Sequence, residues 1–375
     1  MSPIKVLHVL DVEKEAHYFN DLVDLTDRNE VEFSFATFSG EGPFAESMRA
    51  RGVRVYVLDA PSRSSLPRAA MGLWKILKAE DPDLVHTHLF NPTAVGLLLA
   101  RMQKRKAVVT RHHSDALHRI SNPIKRGFYL AIERLINRNA AHIIAPSQMV
   151  GKCIVEWEKT PAEKVSVLPY GQTSKRFDAV TKDVADAKRT ELGMDKQLSL
   201  LCISRLYHLK GHKYLFDALA PLLHNGLEAK LYLLGSGDHR LVLEEYASQL
   251  GIRDKVEFLG FREDGLAITS AADIVVHPSL EDALSQALIE SLMLGRPIVA
   301  TDISGAADTL DGGKYGRIVP PADAASFRSA LEDVIADLEE ARRRAELGRL
   351  YILDYMDAKR VAGEYQKIYR MVLAN

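Results

Sequence analysis

Short, largely apolar runs alternate with helix-patterned stretches along nearly the whole chain, and this alternation limits what it can fold into. A run too short for a helix and bounded by turn residues suits a strand buried on both faces. A parallel sheet covered by helices on both sides buries strands in that way. One series of such runs falls at 4–10, 31–38, 53–58, 84–88, 107–110, 142–145 and 165–168. A second follows at 198–203, 229–234, 256–259, 274–277, 298–300 and 317–319. Strands alternating with helices make doubly wound α/β sheets, with ligands beyond the carboxyl ends of the strands. The pattern therefore predicts two Rossmann-like domains facing a cleft.

The length of 375 residues is more than one core usually organises. The expected divisions are a first domain at 1–170, a polar linker and lead-in helix at 171–196, a second domain at 197–352 and a tail helix at 353–375. In the tail, Val361, Tyr365, Ile368, Tyr369 and Val372 repeat at helical spacing, so one stripe needs burial. The only cysteines, Cys153 and Cys202, exclude a disulfide framework and suit a reducing compartment. The run at 4–10 looks like a strand rather than a signal peptide, and no apolar run approaches a membrane span. A cytoplasmic protein is expected.

Net charge is −1, so partners must be read from where the charges fall. No nucleic-acid partner is expected. The uneven stretch is 101–138, where Arg101, Lys104, Arg105, Lys106, Arg111, Arg119, Lys125, Arg126, Arg134 and Arg138 face only Asp115 and Glu133. Phe128, Tyr129, Leu130, Ile132, Leu135 and Ile136 sit beside these bases. That mixture suits a helix lying on an anionic membrane surface, or a core face with solvated charges around it.

The residues that carry chemistry centre on 272–301, a strand, helix and strand in succession. Pro278 and Ser279 stop the first strand, Asp282 is placed to cap a helix, and Gly295 and Pro297 end it. The free amides of Ala283, Leu284, Ser285 and Gln286 at a positive helix end would attract a diphosphate. Asp282 and Glu290 lie eight residues apart, about 12 Å along a helix, a span that fits a sugar at one end and a ribose at the other. The same spacing also allows a plain cap and a solvated glutamate. Ile289, Leu292, Met293 and Leu294 around Glu290 favour a paired carboxylate.

Arg205 and Lys210 leave the first strand of the second series, where cations can face phosphate; as solvated charges they would do nothing. Gly235-Ser236-Gly237-Asp238 can bring backbone close to a ligand or simply turn. In the first half, His112 and His113 follow a strand at the cleft edge, where histidine can position or polarise a sugar. His86 and His88 share a strand face, but no carboxylate or cysteine joins them at ligand spacing, so no metal is expected. Asp81-Pro82-Asp83 precedes its strand and reads as a turn.

With these residues in hand the chain resembles the GT-B-fold retaining glycosyltransferases of family four, the group-one transferases. The matches are E-G-P-F-A-E-S-M-R-A-R-G-V from Glu41, D-P-D-L-V-H-T-H from Asp81, R-L-Y-H-L-K-G from Arg205, V-E-F-L-G-F from Val256, and 272 onward to G-R-I-V-P-P-A-D. The resemblance implies transfer of a hexose or N-acetylhexosamine from a nucleotide diphosphate-sugar, UDP by family frequency, to a glycan or lipid-linked hydroxyl, without metal or other cofactor. Arg205 and Lys210 would then hold the diphosphate, Asp282 the donor sugar, Glu290 the ribose, and His112 would be the active-site histidine. The tail helix would cross back to the first domain.

Three departures stand out. Asp282 replaces the usual glutamate, with Glu281 beside it. An acidic Asp11-Val12-Glu13-Lys14-Glu15 replaces the usual Gly-Gly loop, and Tyr170-Gly171 replaces the Asn-Gly turn. A nucleotide-sugar epimerase and a non-catalytic sugar-nucleotide binding protein are the competing readings.

Overall fold

A computed structural model of the chain describes residues 2–60, 62–112, 120–282, 284–303 and 305–374, with only the backbone of Arg63. The chain forms two compact units, Met1–Thr173 with Met356–Asn375, and Ser174–Tyr355. His113, Ala283, Asp115 and Arg119 lie outside the described residues.

The first unit carries a seven-stranded parallel sheet in the order β3-β2-β1-β4-β5-β6-β7. Its strands are β1 (Ile4–Leu10), β2 (Val31–Thr37), β3 (Arg54–Val57), β4 (Leu84–His88), β5 (Lys106–Thr110), β6 (His142–Ala145) and β7 (Val165–Val167). Three of its helices matter here: α1 (His17–Leu25), α2 (Phe90–Met102) and α3 (Pro123–Asn139). Strand side chains alternate between faces, and one face of β1 and β4 is covered by α1 and the tail helix Ala358–Ala374. There Leu10, Phe19, Phe33, Phe35 and Leu84 pack with Val361, Tyr365, Ile368, Tyr369 and Val372. Each large side chain buried in this way contributes about 1.5–3 kcal/mol. Gly171 makes the docking possible, because a Cβ there would lie 2.9 Å from the Ala358 Cα.

The basic stretch 101–138 separates into two groups. Arg111 is buried, bonded in a fork to Glu158 at 2.9 and 3.0 Å and paired with Glu133 at 2.7 Å. Neither Arg111 nor Glu133 is a surface charge, and Ile136 belongs to the interior. In the sequence Arg111 stands among surface charges, because Glu158 lies outside the stretch; only the fold brings the two together. Arg105 pairs with Asp81, and the Lys106 Nζ donates to the carbonyls of Val372 and Leu373. Exposed on α3 are the apolar Ile124, Phe128 and Leu135 and the basic Lys125, Arg134 and Arg138.

The second unit carries a six-stranded parallel sheet, β10-β9-β8-β11-β12-β13. Its strands are β8 (Leu198–Ile203), β9 (Ala229–Leu234), β10 (Val256–Gly260), β11 (Ile274–His277), β12 (Ile298–Thr301) and β13 (Arg317–Val319). The helices used below are α4 (Lys175–Asp178), α5 (His212–His224) and α6 (Gln286–Met293). The polar segment before β8 also holds a helix, Lys182–Glu191, with no buried residue of its own. Ion pairs tie it to the unit: Arg189 to Asp273 at 2.9 Å and Lys188 to Asp264 at 2.7 Å. No described helix is long and apolar enough to cross a membrane.

Candidate functional site

In the second unit, the loops leaving the carboxyl ends of β8, β9 and β11 lock together. The Leu206 amide donates to the Ser236 carbonyl at 3.0 Å, and the Leu280 amide to the Leu209 carbonyl at 2.9 Å. The glycines permit this approach. A Cβ at Gly235 would lie 2.0 Å from the Ser204 carbonyl oxygen, and one at Gly237 2.3 Å from that of Leu206. Neighbouring backbone fills the space both leave, so loop packing accounts for them without a ligand. Gly211 has φ +67°, and a Cβ there would lie 2.0 Å from the Pro278 carbonyl oxygen, a position only glycine fits.

This packing brings Lys210 to Asp282. The Lys210 Nζ donates to Asp282 Oδ2 at 2.8 Å, with 17% and 25% of the two side chains exposed. Asp282 does not cap the helix: α6 starts four residues later, at Gln286, with Ser285 at its N-cap position. The lysine has claimed the carboxylate, and the amides of Leu284 and Ser285 therefore belong to the loop ahead of the helix. Both residues are buried, whereas Gln286 is exposed. Arg205 is exposed, its guanidinium 5.1 Å from the centre of the Tyr207 ring. Glu290, one turn into α6, is paired rather than bare. Arg176 of α4 donates to its Oε1 at 2.6 Å, and Gln286 reaches the same oxygen at 3.4 Å.

Three further buried groups of the second unit are given no role by the sequence motifs. His277 Nε2, Ser279 Oγ and His212 Nδ1 are buried with no hydrogen-bond partner among the described residues. Burial pushes His277 down to about 4; Asp282 opposes that shift and Lys210 adds to it. Burial likewise holds His212 at about 4. Both rings are therefore neutral near pH 7. Each ends or follows a strand on the ligand side, and that placement is the signal in the sequence that could have flagged them.

In the first unit, His112 follows β5 and is held from both sides. Its Nδ1 lies 2.6 Å from the Tyr170 hydroxyl and its Nε2 3.2 Å from His88 Nδ1. Tyr170, the residue that departs from the Asn-Gly turn, also stacks on the ring at 5.4 Å between centres. His8 joins His86 and His88, and the three ligand atoms lie within 4.8 Å of one another in the interior. Strand order explains this, because β1 pairs with β4 and sets His8 opposite His86. Asp83 accepts from the Lys5 amide at 2.8 Å at the amino end of β4, where a turn was expected. The acidic loop after β1 is pinned as well: the Glu13 carbonyl accepts from the Phe44 amide at 3.0 Å.

Comparison with known proteins places both halves. Residues 16–171 match a family described as glycosyl transferase 4-like domain, and residues 197–337 match glycosyl transferases group 1. Alpha-D-kanosaminyltransferase of Streptomyces kanamyceticus is 28% identical over 285 residues, 72% of this chain and 73% of that protein. The UDP-Gal:alpha-D-GlcNAc-diphosphoundecaprenol alpha-1,3-galactosyltransferase of Escherichia coli is 26% identical over 276 residues, 72% of this chain and 70% of its own. Among solved structures, Anabaena Alr3699/HepE in complex with UDP-glucose superposes with a TM-score of 0.82 at 21% identity, covering 98% of this chain and 100% of that one. With a match in each half and the two parallel sheets of that fold, the chain is a group 1 glycosyltransferase of GT-B architecture.

Proposed function

We propose that the chain moves a hexosyl group from a UDP-sugar to a hydroxyl of a glycan or lipid-linked acceptor, with retained configuration and without a metal ion. The observation that carries this reading is the Lys210–Asp282 pair on adjoining loops at the carboxyl ends of β8 and β11. A cation held there can bind a diphosphate and offset the charge that develops as it leaves, and Arg205 stands ready to share that load. Asp282, released from the lysine by the phosphates, is then available to the donor sugar. Glu290 keeps one oxygen on Arg176 and offers the other to ribose hydroxyls. His112 is the first unit's candidate active-site group.

The names of the relatives support the substrate classes. The Anabaena protein was crystallised with UDP-glucose, and the E. coli relative is named for a UDP-sugar donor and a diphosphoundecaprenol-linked acceptor. A lipid-linked acceptor also gives a purpose to the exposed apolar and basic side of α3, which we assign to an anionic leaflet.

The test is a thermal-shift panel of UDP, GDP, ADP and CDP and their sugars, followed by turnover with and without a chelator. A nucleotide at 100 times its Kd adds about 2.7 kcal/mol to stability. UDP and a UDP-sugar should raise the melting temperature, and the chelator should leave turnover unchanged. Isomerisation of the donor without an acceptor would favour an epimerase, and donor binding without turnover a binding protein.

A further inference from the structure

Four buried or half-buried histidines, three hydroxyls and six hydrogen bonds form one continuous line through the first unit. From Thr110 Oγ1 the line runs to His86 Nε2 at 2.8 Å, then from His86 Nδ1 to the Tyr369 hydroxyl at 2.8 Å. Tyr369 reaches His8 Nε2 at 3.4 Å, and His8 Nδ1 lies 2.9 Å from His88 Nε2. His88 Nδ1 then meets His112 Nε2 at 3.2 Å, and His112 Nδ1 meets the Tyr170 hydroxyl at 2.6 Å. Both nitrogens of every ring in the line face a partner.

We propose that this line sets which nitrogen of His112 carries the hydrogen, so that Tyr369, His8 and His88 are positioning residues for the reaction, a role that rests on the reading of His112 as an active-site group. The reason is a conservation rule. A neutral imidazole has one N–H and one lone pair, and a hydroxyl has one hydrogen. A ring that receives a hydrogen bond on one nitrogen must therefore give one from the other; the direction of giving passes unchanged through every ring, and through Tyr369 whenever its own hydrogen is used. Two orders satisfy every link and also use the Tyr369 hydrogen; a third, in which Tyr369 accepts from both His86 and His8, leaves that hydrogen unpaired in the interior, which costs free energy. If Thr110 gives to His86, the last ring carries its hydrogen on Nδ1 and gives it to the Tyr170 oxygen. If Tyr170 gives to His112, that ring carries its hydrogen on Nε2 and gives it to His88. None of His8, His88 and His112 can change alone without setting two hydrogens or two lone pairs face to face in a dry interior, because each is joined directly to another ring.

Burial keeps His8, His86 and His88 neutral, as the rule requires. Desolvation lowers His8 to about 3 and holds His86 and His88 well below the usual histidine range. The same features argue against a metal ion among His8, His86 and His88. Their nitrogens are already hydrogen-bonded to Thr110, Tyr369, His112 and one another, and a dication would enter that interior with no carboxylate in the set. The line also ties His112 to the tail helix, where Tyr369 is wholly buried.

Histidine ring 15N shifts of the full chain test this without any substrate, the His112 signal being the one lost in His112→Gln. The wild type should show one His112 tautomer. Tyr369→Phe keeps the ring and removes the hydroxyl joining His86 to His8, and Thr110→Val removes the hydroxyl that bonds His86 and Tyr365; in both, the second tautomer of His112 should rise to more than about one-fifth. Thr110→Ser should keep the wild-type spectrum. Mixed tautomers in the wild type, an unchanged His112 in both Tyr369→Phe and Thr110→Val, or stoichiometric Zn2+ shifting His8, His86 and His88 together would each overturn the proposal. Full turnover by His112→Gln would instead sink the catalytic reading of His112, a result separate from the tautomer measurement.

Discussion

Lys210 and Asp282 neutralise each other across 2.8 Å, so removing one or the other should act on nucleotide binding in opposite directions. Lys210→Ala loses a charged hydrogen bond to phosphate and leaves the Asp282 carboxylate facing it. UDP affinity should fall by about 1.5–3 kcal/mol. Asp282→Asn frees the lysine from an ion pair of the partly exposed kind, worth about 0.2–1 kcal/mol. Its UDP affinity should hold or rise up to about five-fold, while turnover falls by about 10²–10³ through loss of a positioned charge. Calorimetric titration with UDP and turnover measurements separate the two effects. Weaker UDP binding by Asp282→Asn would contradict the competition, and full turnover would move the role to Glu281.

Two elements carry predictions of their own. The β8–α5 loop depends on Gly211, whose positive φ and contact with the Pro278 carbonyl exclude a side chain. Gly211→Ala should cost about 1–3 kcal/mol in urea unfolding and weaken UDP binding with it; wild-type stability would mean that the loops do not interlock as described. Helix α3 leaves Ile124, Phe128 and Leu135 at 84%, 63% and 61% exposure, while Lys125, Arg134 and Arg138 flank them. A basic residue near an anionic leaflet contributes about 1 kcal/mol. The chain should therefore sediment with anionic vesicles and not neutral ones, less so as salt rises, and the paired change of Lys125 and Arg126 to Glu should abolish it. Equal recovery with neutral vesicles would return α3 to an ordinary solvated face.

For the whole molecule, buried neutral histidines set the response to acid. His8 is held at about 3, His212 and His277 at about 4, and His86 and His88 well below their usual value, all by burial first. The folded chain therefore refuses protons that the unfolded chain accepts below about pH 6.5. Their contribution is fully present above pH 6.5 and is lost as pH falls toward 4, at about 1.4 kcal/mol per pH unit for each ring. Urea midpoints measured from pH 7.5 to 4.5 should drop more steeply than one histidine explains. A flat curve would mean that these rings are charged in the fold.

The sequence by itself determined the elements, because they follow from local pattern. Each short apolar run became a strand, seven in one sheet and six in the other among the described residues, with ends shifted by no more than about two positions. The same pattern placed Arg205, Lys210, Asp282 and His112 after strands, on the ligand side of parallel sheets. What it left open was the pairing of those residues, which depends on which strands adjoin and which loops touch. Asp282 was free to cap its own helix until Lys210, 72 residues away, claimed it. Glu290 found Arg176 across 114 residues, and Tyr369 found His8 across 361. Arg111 read as a surface charge until Glu158 arrived from 47 residues on. Local preference chooses strand or helix within a few residues, but the partner of a buried charge or ring is chosen by packing, and only the tertiary structure decided it.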